Sequence, residues 1–331
     1  MLRNPLICGT SVPSVPVMSN AKILRTYLHP PILHTARAGK LRFLNRLHAL
    51  LTDRGWKVQI LPSGTKARDN APRLPGYALF NMEKPTHERA LTFRLAYHYP
   101  FWRLERQAER WRWPVARAVY EPGGPTVAKD FANRLQERVL PGPAPVQGDY
   151  ALVPLQGKIR DCRSFQTFSP IEMVRLVAET GRSAVVTLHP KEIYDDRDMA
   201  LLHELAARYP NLTIGGNTSK LLRDCAFVVT ENSAVAFDGY ILGKPAVLFA
   251  QTDFHHIGLN VAELGAASAL DRAADHRPDF AGYLNWFLRQ TSIDMMAPDA
   301  DERLLSAMTR GGWPVSHSEK EGVDVRPRRP N

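Results

Sequence analysis

The sequence predicts an α/β protein with two doubly wound domains, and three observations support this class. Short apolar runs alternate with longer segments of helical periodicity, which is the pattern of a parallel sheet covered by helices. Within residues 227–249, an apolar run is followed by a helical segment, which Gly243 terminates, and a second apolar run comes next. The chain has 331 residues, of which 44% are hydrophobic, so two cores of ordinary size can form.

The first elements are typical of a β–α–β unit. Residues 22–28 are predicted to form a strand, residues 29–40 a proline-containing loop, and residues 56–61 a second strand. Between them, four leucines recur at helical spacing until Gly55 ends the helix: Leu41, Leu44, Leu47 and Leu51. Residues 62–83 are predicted to be loops and short elements, because prolines punctuate them.

Residues 84–119 combine arginines with aromatic residues. The arginines are Arg89, Arg94, Arg103, Arg106, Arg110, Arg112 and Arg117. The aromatics are Phe93, Tyr97, Tyr99, Phe101, Trp102, Trp111 and Trp113. We predict an amphipathic helix pair with the aromatics in its core and most arginines in solvent. A nucleic-acid surface and contact with anionic lipid head groups are the alternatives.

The second half alternates regularly between strands and helices. The predicted strands are 150–155, 183–188, 212–214, 227–230 and 245–249. The predicted helices are 126–139, 169–180, 195–209, 218–224, 234–242, 278–289 and 299–309. Such alternation implies parallel strands joined by right-handed crossovers.

Composition divides the chain into five parts. We expect an extension that is disordered or follows a wrongly assigned start (1–20, with Met18 as a candidate start), a first domain (21–140), a linker (141–148), a second domain (149–313) and a mobile tail (314–331). The linker is predicted from its proline and glycine content.

Bulk properties exclude several classes of protein. No apolar run approaches the ~20 residues that span a bilayer, and the N-terminal stretch does not read as a signal peptide. The three cysteines, Cys8, Cys162 and Cys225, lack metal-ligand spacing and cannot all pair, which favours a reducing cytoplasm. The net charge of +10 favours phosphate-rich partners.

Four polar clusters follow predicted strands of the second half. They are residues 156–161, residues 189–191, residues 231–233 and residues 251–256. Because the carboxyl ends of parallel strands lie on one edge of a sheet, we expect the four clusters to converge there.

Asp161 and His189 are the candidate catalytic residues. A carboxylate can attack an anomeric carbon or take a proton from an acceptor hydroxyl, whereas a surface aspartate would pair with Arg160 or Arg163. His189, held extended by Pro190, can bind a phosphate or act as an acid, or it can be a loop histidine bonded to backbone.

Asn232 and Ser233 stand at a helix start, where they can donate to a phosphate or act as an ordinary N-cap. Glu231 can accept from ribose hydroxyls or a base, or pair with Lys244. The adjacent pair at 255–256 does not predict a metal site, because neighbouring histidines point apart on regular backbone.

The four motifs, in their order, resemble the capsule polysaccharide biosynthesis family, which includes bacterial β-Kdo transferases. The motifs are Val153-Pro-Leu-Gln156 with Asp161, Leu188-His-Pro190, Thr230-Glu-Asn-Ser233 and Leu242-Gly-Lys-Pro245. The resemblance covers roughly residues 149–260. It implies a GT-B-like arrangement of two Rossmann-like domains, with the active site in the interdomain cleft. By this resemblance, residues 21–140 would be the acceptor-side domain and residues 149–313 the nucleotide-sugar-binding domain.

The resemblance also implies roles for individual residues. His189 and the Asn232–Ser233 helix start would hold the phosphate of a CMP-activated donor, without a metal or other cofactor. Gln156 and Asp161 would face the sugar, with Asp161 as nucleophile of a retaining transfer. The donor-binding set is completed by Lys158, Pro190, Lys191 and Glu231.

Three residues depart from the family pattern. Basic residues, Lys158 and Arg160, stand between Gln156 and Asp161, and Asp238 replaces an expected glutamate.

These observations predict a glycosyltransferase of capsule or exopolysaccharide assembly that transfers Kdo from CMP-Kdo to a glycolipid or polysaccharide. We expect it in the cytoplasm, associated with the inner membrane surface, without a nucleic-acid partner. The alternatives are a UDP-sugar-using GT-B transferase or epimerase, and a non-catalytic binding protein of polysaccharide assembly. Nucleic-acid binding rests on charge and the aromatic–arginine stretch alone.

Overall fold

The computed structural model describes residues 21–121 and 125–315. The expected extension 1–20 lies outside the described residues, as does the expected tail apart from Pro314 and Val315. The described chain forms two compact units, which are residues 21–92 with 305–315, and residues 93–304.

The first unit begins with a small parallel sheet. Its elements are β1 (Ile23–Leu28), α1 (Pro30–Arg37), α2 (Arg42–Thr52), β2 (Lys57–Pro62), α3 (Thr65–Asn70), β3 (Tyr77–Asn81) and the start of β4 (Ala90–Leu95). Strand β1 lies between β2 and β3 and is parallel to both. The predicted β–α–β opening is therefore confirmed.

Aromatic rings fill the core of the first unit. Tyr27 stacks on Phe80 at 5.0 Å between ring centroids. Trp313 lies 6.1 Å from Trp56 and 5.5 Å from Tyr77, measured between ring centroids. Trp313, near the end of the described chain, thus packs into the same core as Trp56 and Tyr77 from its first part.

One prediction for the first unit is wrong. The expected loop 29–40 contains helix α1, because its prolines occupy the first helical turn, where no backbone N–H donor is needed. The loops and short elements expected over 62–83 are present, and they include α3 and strand β3, whose five residues are all buried. A short strand buried on both faces shows no alternation of apolar and polar residues.

The predicted helix pair over 84–119 is also wrong. The structure has β4, β5 (Phe101–Glu105), a single turn at Arg110–Arg112 and the short helix α4 (Pro114–Arg117). All five residues of β5 are buried, including Arg103 and Glu105. Charged residues within a strand produce a sequence pattern that resembles the polar face of an amphipathic helix. Helix α5 (Pro125–Val139), which follows, confirms the next prediction.

A six-stranded parallel sheet forms most of the second unit. Its elements are β6 (Ala151–Pro154), α6 (Pro170–Glu179), β7 (Ala184–Thr187), α7 (Asp196–Arg208), β8 (Leu212–Ile214), α8 (Thr218–Asp224), β9 (Phe227–Thr230), α9 (Ala234–Ile241), β10 (Ala246–Leu248) and β11 (Leu259–Asn260). The strand order is β11-β10-β9-β6-β7-β8. The predicted α/β class with two parallel sheets is confirmed.

The strand order reverses between β6 and β9. From β6 the chain adds β7 and β8 on one side, then returns to add β9, β10 and β11 on the other. In doubly wound sheets, ligands bind outside the carboxyl ends of the strands at such a switch point.

The remaining elements close the second unit and return to the first. They are α10 (Val261–Leu264), α11 (Ala266–Arg272), α12 (Phe280–Leu284), a π-helical turn (Asn285–Gln290), β12 (Ile293–Asp294) and α13 (Ala300–Arg310). Strand β12 pairs antiparallel with β5. Within the described residues, no helix is long and apolar enough to cross a membrane.

The predicted linker, residues 141–148, lies inside the second unit and contains no helix or strand. The Arg223 guanidinium donates to the carbonyls of Leu140, Pro141 and Pro143 at 2.5, 2.9 and 2.7 Å. The Lys244 ammonium donates to the Val146 carbonyl at 2.5 Å. Side-chain hydrogen bonds from two cations therefore hold this segment.

Side-chain caps begin the helices that flank β7. The Ser169 hydroxyl accepts from the Glu172 backbone N–H, and the Glu172 carboxylate accepts from the Ser169 backbone N–H at 2.9 Å. Asp195 and Asp198 form the equivalent reciprocal cap of α7. Each cap satisfies donors that the first helical turn leaves unpaired.

Replacing Ser169 with Ala should lower the free energy of unfolding by about 1 kcal/mol, because a buried capping oxygen is lost. Urea unfolding monitored by circular dichroism measures this change. Ser219→Ala in α8 is the control, because that exposed serine caps nothing and its replacement should change stability by less than about 0.5 kcal/mol. Equal effects of the two substitutions would contradict the assignment of the cap.

Candidate functional site

The candidate site lies at the carboxyl edge of the second sheet, beside the switch point. The Thr230 hydroxyl at the end of β9 donates to the Pro154 carbonyl at the end of β6, at 3.3 Å. Strand β7 flanks β6 on its other side, and β10 flanks β9. The predicted clusters after β6, β7, β9 and β10 therefore share one edge.

The turn Glu231–Asn232–Ser233 joins β9 to α9. These residues are 2%, 8% and 5% exposed, so the chain holds polar groups below its surface here. The Ser233 hydroxyl accepts from the Val235 N–H at 3.3 Å and caps α9. The expected N-cap is confirmed, and the first turn of the helix adds the positive end of its dipole.

Glu231 is a buried carboxyl with two side-chain partners. Its Oε1 accepts from the Gln166 amide, and its Oε2 lies 3.4 Å from the Arg163 guanidinium. Burial raises the pKa of Glu231 to about 7, and the Arg163 cation opposes this rise. The alternative pairing with Lys244 is wrong, because that ammonium donates to the carbonyls of Val146 and Cys225.

The loop after β6 is anchored at two points. The Ile159 side chain is fully buried, and the Ile159 carbonyl accepts from the Ile171 N–H at 2.9 Å. The Arg160 guanidinium binds the capping pair of α7, with its Nε 2.7 Å from an Asp198 oxygen. Anchored in this way, the loop presents Lys158 and Asp161 at the surface and leaves Gln156 half-buried.

Asp161 forms no ion pair with Arg160 or Arg163, the two arginines that are close to it in the sequence. Arg160 binds the α7 cap and Arg163 binds Glu231. Within the part of the chain that the structure describes, no hydrogen bond or ion pair engages the Asp161 carboxylate. An exposed, unpaired carboxylate is available to a ligand.

His189 follows β7 and is oriented by its own loop. Its Nδ1 accepts from the Lys191 backbone N–H at 3.2 Å, so a neutral ring carries its proton on Nε2. The Tyr194 hydroxyl accepts from the His189 backbone N–H at 3.1 Å and donates to the Leu155 carbonyl at 3.4 Å. The half-buried ring therefore presents an N–H donor, next to Pro190 and Lys191, which are exposed.

Residues 97–111 contribute side chains to the candidate site that no sequence motif indicated. Arg110 donates to the Asn232 carbonyl at 3.1 Å and to the Tyr97 hydroxyl, which donates to Asp253 at 2.6 Å. The Tyr97 ring stacks on Phe237 of α9 at 4.3 Å. Their only local signal was the mixture of arginine and aromatic residues.

Two further contacts bind the same segment to the site. The His98 imidazole lies 2.8 Å from the Asp238 carboxylate of α9. The Trp111 ring stacks on Phe165 at 4.7 Å, close to the Gln166 that binds Glu231. The segment is thus attached to α9 and to the loop that leads into α6.

No group of three or more His, Cys, Asp or Glu side chains in the described residues has the geometry of a metal site. The rings of His255 and His256 stack at 4.3 Å, so the expectation that they point apart is wrong. Their turn is not regular backbone. Both rings bind protein groups, the Thr252 carbonyl for His255 and the Tyr283 hydroxyl for His256.

Three solved structures are similar to this chain. The KpsC β-Kdo 2,7 transferase of Thermosulfurimonas dismutans is 12% identical, and the match covers 74% of this chain and 89% of that chain with a TM-score of 0.44. The UDP-GlcNAc 2-epimerase of Neisseria meningitidis is 9% identical, with 87% and 99% covered and a TM-score of 0.38. A variant of the wall teichoic acid polymerase TagF is 11% identical, with 87% and 88% covered and a TM-score of 0.30.

No model of a known protein family matches the sequence. No curated protein matches it at a significant level. With TM-scores of 0.44 and below, the three structural similarities do not establish an activity for this chain.

Replacing Glu231 with Gln should remove a pH dependence of stability. Because the folded pKa of about 7 exceeds the ordinary value of 4.5, Glu231 stabilises the folded chain in acid, and this contribution is lost as the pH rises through 7. Between pH 5 and pH 8, the wild type should lose about 2 kcal/mol relative to the variant.

Urea unfolding at the two pH values measures this difference. Glu204→Gln is the control, because the same chemical change at an exposed residue of α7 should leave the pH dependence of stability as in the wild type. Parallel pH profiles for the wild type and Glu231→Gln would show that Glu231 titrates normally.

Proposed function

We propose that this chain is a glycosyltransferase that uses a nucleotide-activated sugar, with Kdo from CMP-Kdo as the donor. One observation carries the proposal. The loops that follow β6, β7 and β9 leave the same edge of the sheet beside the switch point, and they carry an unpaired Asp161, a donor on His189 and the capped start of α9. A phosphate-linked sugar needs an anion site and a reactive carboxylate, and both kinds of group are available there.

The nucleotide phosphate binds at the start of α9. The side chains of Asn232 and Ser233 and the Nε2–H of His189 supply donors, and the helix dipole favours the negative charge. Lys158 and Lys191 add positive charge from exposed positions, and Pro190 keeps the backbone at His189 extended. Glu231, held by Gln166 and Arg163, accepts from the ribose or the base.

Asp161 acts on the sugar, with Gln156 beside it. In a retaining transfer, the Asp161 carboxylate forms a bond to the anomeric carbon while the bond to phosphate breaks, and the electron pair leaves with CMP. The acceptor hydroxyl oxygen then bonds to the anomeric carbon while the bond to the Asp161 carboxylate breaks, and the hydroxyl proton passes to solvent water. His189 donates to the phosphate oxygen that gains charge.

The acceptor is a glycolipid or polysaccharide of capsule or exopolysaccharide assembly. A net charge of +10 suits an acceptor that carries phosphate, and it suits a protein that works in the cytoplasm against an anionic membrane surface.

CMP should raise the melting temperature of the purified protein, because a ligand that binds only the folded state stabilises it by mass action. The matched variants Asn232→Ala and Ser233→Ala should reduce this shift, and Ser219→Ala should leave it unchanged. A larger shift with UMP or UDP than with CMP would favour the UDP-sugar alternative. No shift with any nucleotide would remove the proposed donor class.

Replacing Asp161 with Asn should lower turnover of CMP-Kdo by about a hundredfold or more, because the amide can neither attack the sugar nor accept a proton. The affinity for CMP should stay as in the wild type. Asp196→Asn, at an exposed position in the first turn of α7, is the control and should retain full turnover. A wild-type protein that binds CMP without turnover would support the non-catalytic alternative.

A further inference from the structure

A cavity at the carboxyl ends of β10 and β11 lies outside the groups assigned so far. Its volume is about 150 Å³, and Leu248, Ala250 and Ala262 give it apolar walls. An apolar protein cavity of about 150 Å³ holds one benzene molecule, so this cavity can hold a single six-membered ring. The groups proposed to bind the donor follow β6, β7 and β9, and β10 is the next strand along the same edge. The cavity therefore flanks the donor site.

Close packing fixes the shape of this cavity. The backbone N–H of Thr167, a lining residue, donates to the Phe249 carbonyl at 2.8 Å. Gly258 approaches Leu248 so closely that a Cβ atom at this glycine would lie 2.7 Å from the Leu248 Cδ1 atom. Both contacts hold lining segments against β10 in the absence of a ligand, as is usual for sites that are largely pre-formed.

Three residues that line the cavity have available acceptor atoms. The His255 Nδ1 lies 3.0 Å from the Thr252 carbonyl. Because a carbonyl only accepts, Nδ1 carries the proton, and Nε2 of the neutral ring is an acceptor. The Asn260 Nδ2 donates to the His255 carbonyl at 3.4 Å, which leaves Oδ1 as a second acceptor. Among the described residues, no donor pairs with these two atoms or with the Glu263 carboxylate.

The lining determines which class of ligand fits. A sugar hydroxyl both donates and accepts, so a pyranose ring can donate to the three acceptors and accept from the Thr167 hydroxyl and the Gln251 amide. Its C–H groups suit the apolar walls. The exposed Glu263 carboxylate repels an anion, which disfavours a phosphate or a sugar acid. An aromatic ring would fill the same volume but leave most of these polar atoms unpaired.

We infer that this cavity binds a neutral pyranose ring of the acceptor glycan. The class of ligand follows from the lining alone, whereas its role as acceptor rests on the proposed function. The inference gives the residues that follow β10 and β11 a part in acceptor binding, to which the donor-binding groups contribute no residue.

Ligand-observed NMR titrations of the full chain at low ionic strength test the ligand class. The probes are glucose, galactose and N-acetylglucosamine, together with glucuronate and galacturonate as charged counterparts of the first two. Each neutral sugar should bind about threefold or more tightly than its acid, because charge repulsion by an exposed carboxylate is modest. If none of the three neutral sugars binds the wild type, the inference is overturned.

Two substitutions locate the binding. Ala262→Leu places a larger side chain in the cavity and should weaken binding of the neutral sugars about tenfold or more. Its melting temperature should match that of the wild type, because Ala262 is exposed. The control is Ala267→Leu, the same change at an exposed position of α11, which should bind the sugars as the wild type does. Wild-type affinity in Ala262→Leu would place the sugar elsewhere and overturn the inference.

The second substitution is Glu263→Gln. Without the carboxylate, glucuronate should bind about as well as glucose, and galacturonate about as well as galactose. Glu204→Gln, the same change in α7, should keep the preference of the wild type for neutral sugars. An unchanged preference in Glu263→Gln would show that this carboxylate does not face the ligand.

The outcomes separate this inference from the proposed function. If CMP binds the wild type and the neutral sugars do not, the cavity assignment is wrong and the nucleotide-sugar proposal stands. If the sugars bind in the cavity and no nucleotide binds, the cavity assignment stands and the nucleotide donor is wrong. If the wild type turns over CMP-Kdo, a sugar that binds in the cavity but neither accepts Kdo nor inhibits turnover would overturn the acceptor role.

Discussion

The pairing of β6 with β9 is the constraint on which the rest of the second unit depends. These two strands are adjacent in the sheet but far apart in the chain, because β7 and β8 are inserted between them. All four residues of each strand are buried, so their register cannot slip without exposing a core face. In doubly wound sheets, ligands bind outside the carboxyl ends of the strands at such a position.

In the second unit, buried charged side chains connect segments that are distant in the chain. Arg103 donates to the Thr291 carbonyl at 2.8 Å and lies over the Phe287 ring at 4.6 Å. Lys244 is 2% exposed and joins the segment before β6 to the end of α8 through two carbonyls. Both cations donate to backbone oxygens, and Arg103 also donates to the Thr291 hydroxyl. Such hydrogen bonds lower the cost of burying a charged group.

Sequence reasoning predicted the parallel sheet of the second unit well, because its signals are local. Apolar runs mark the strands, and Ser169, Asp195 and Ser233 mark the helix starts. The turn at Asn232 was found for the same reason. Its contact with Arg110 was not, because the two residues are 122 positions apart and Arg110 belongs to no motif.

The stretch 84–119 was misread for a physical reason. Periodicity assigns charged residues to solvent, whereas Arg103 and Glu105 are buried in β5. Side chains whose polar atoms are satisfied only by tertiary contacts give no local sign of their environment. Among the short elements expected over 62–83, strand β3 was not located individually, since a short strand with two buried faces has no alternation to detect.

The ring of Trp313 has a consequence for how this protein is made. It packs with Trp56 and Tyr77, although more than two hundred residues of the second unit separate it from them in the chain. During synthesis, the apolar surface around Trp56 is not covered by Trp313 until nearly all of the described chain has left the ribosome. The second unit, which is continuous in sequence, can complete its core earlier. The early-synthesised part of the first unit therefore depends longest on protection from aggregation. Its core is complete only after Trp313 has been synthesised.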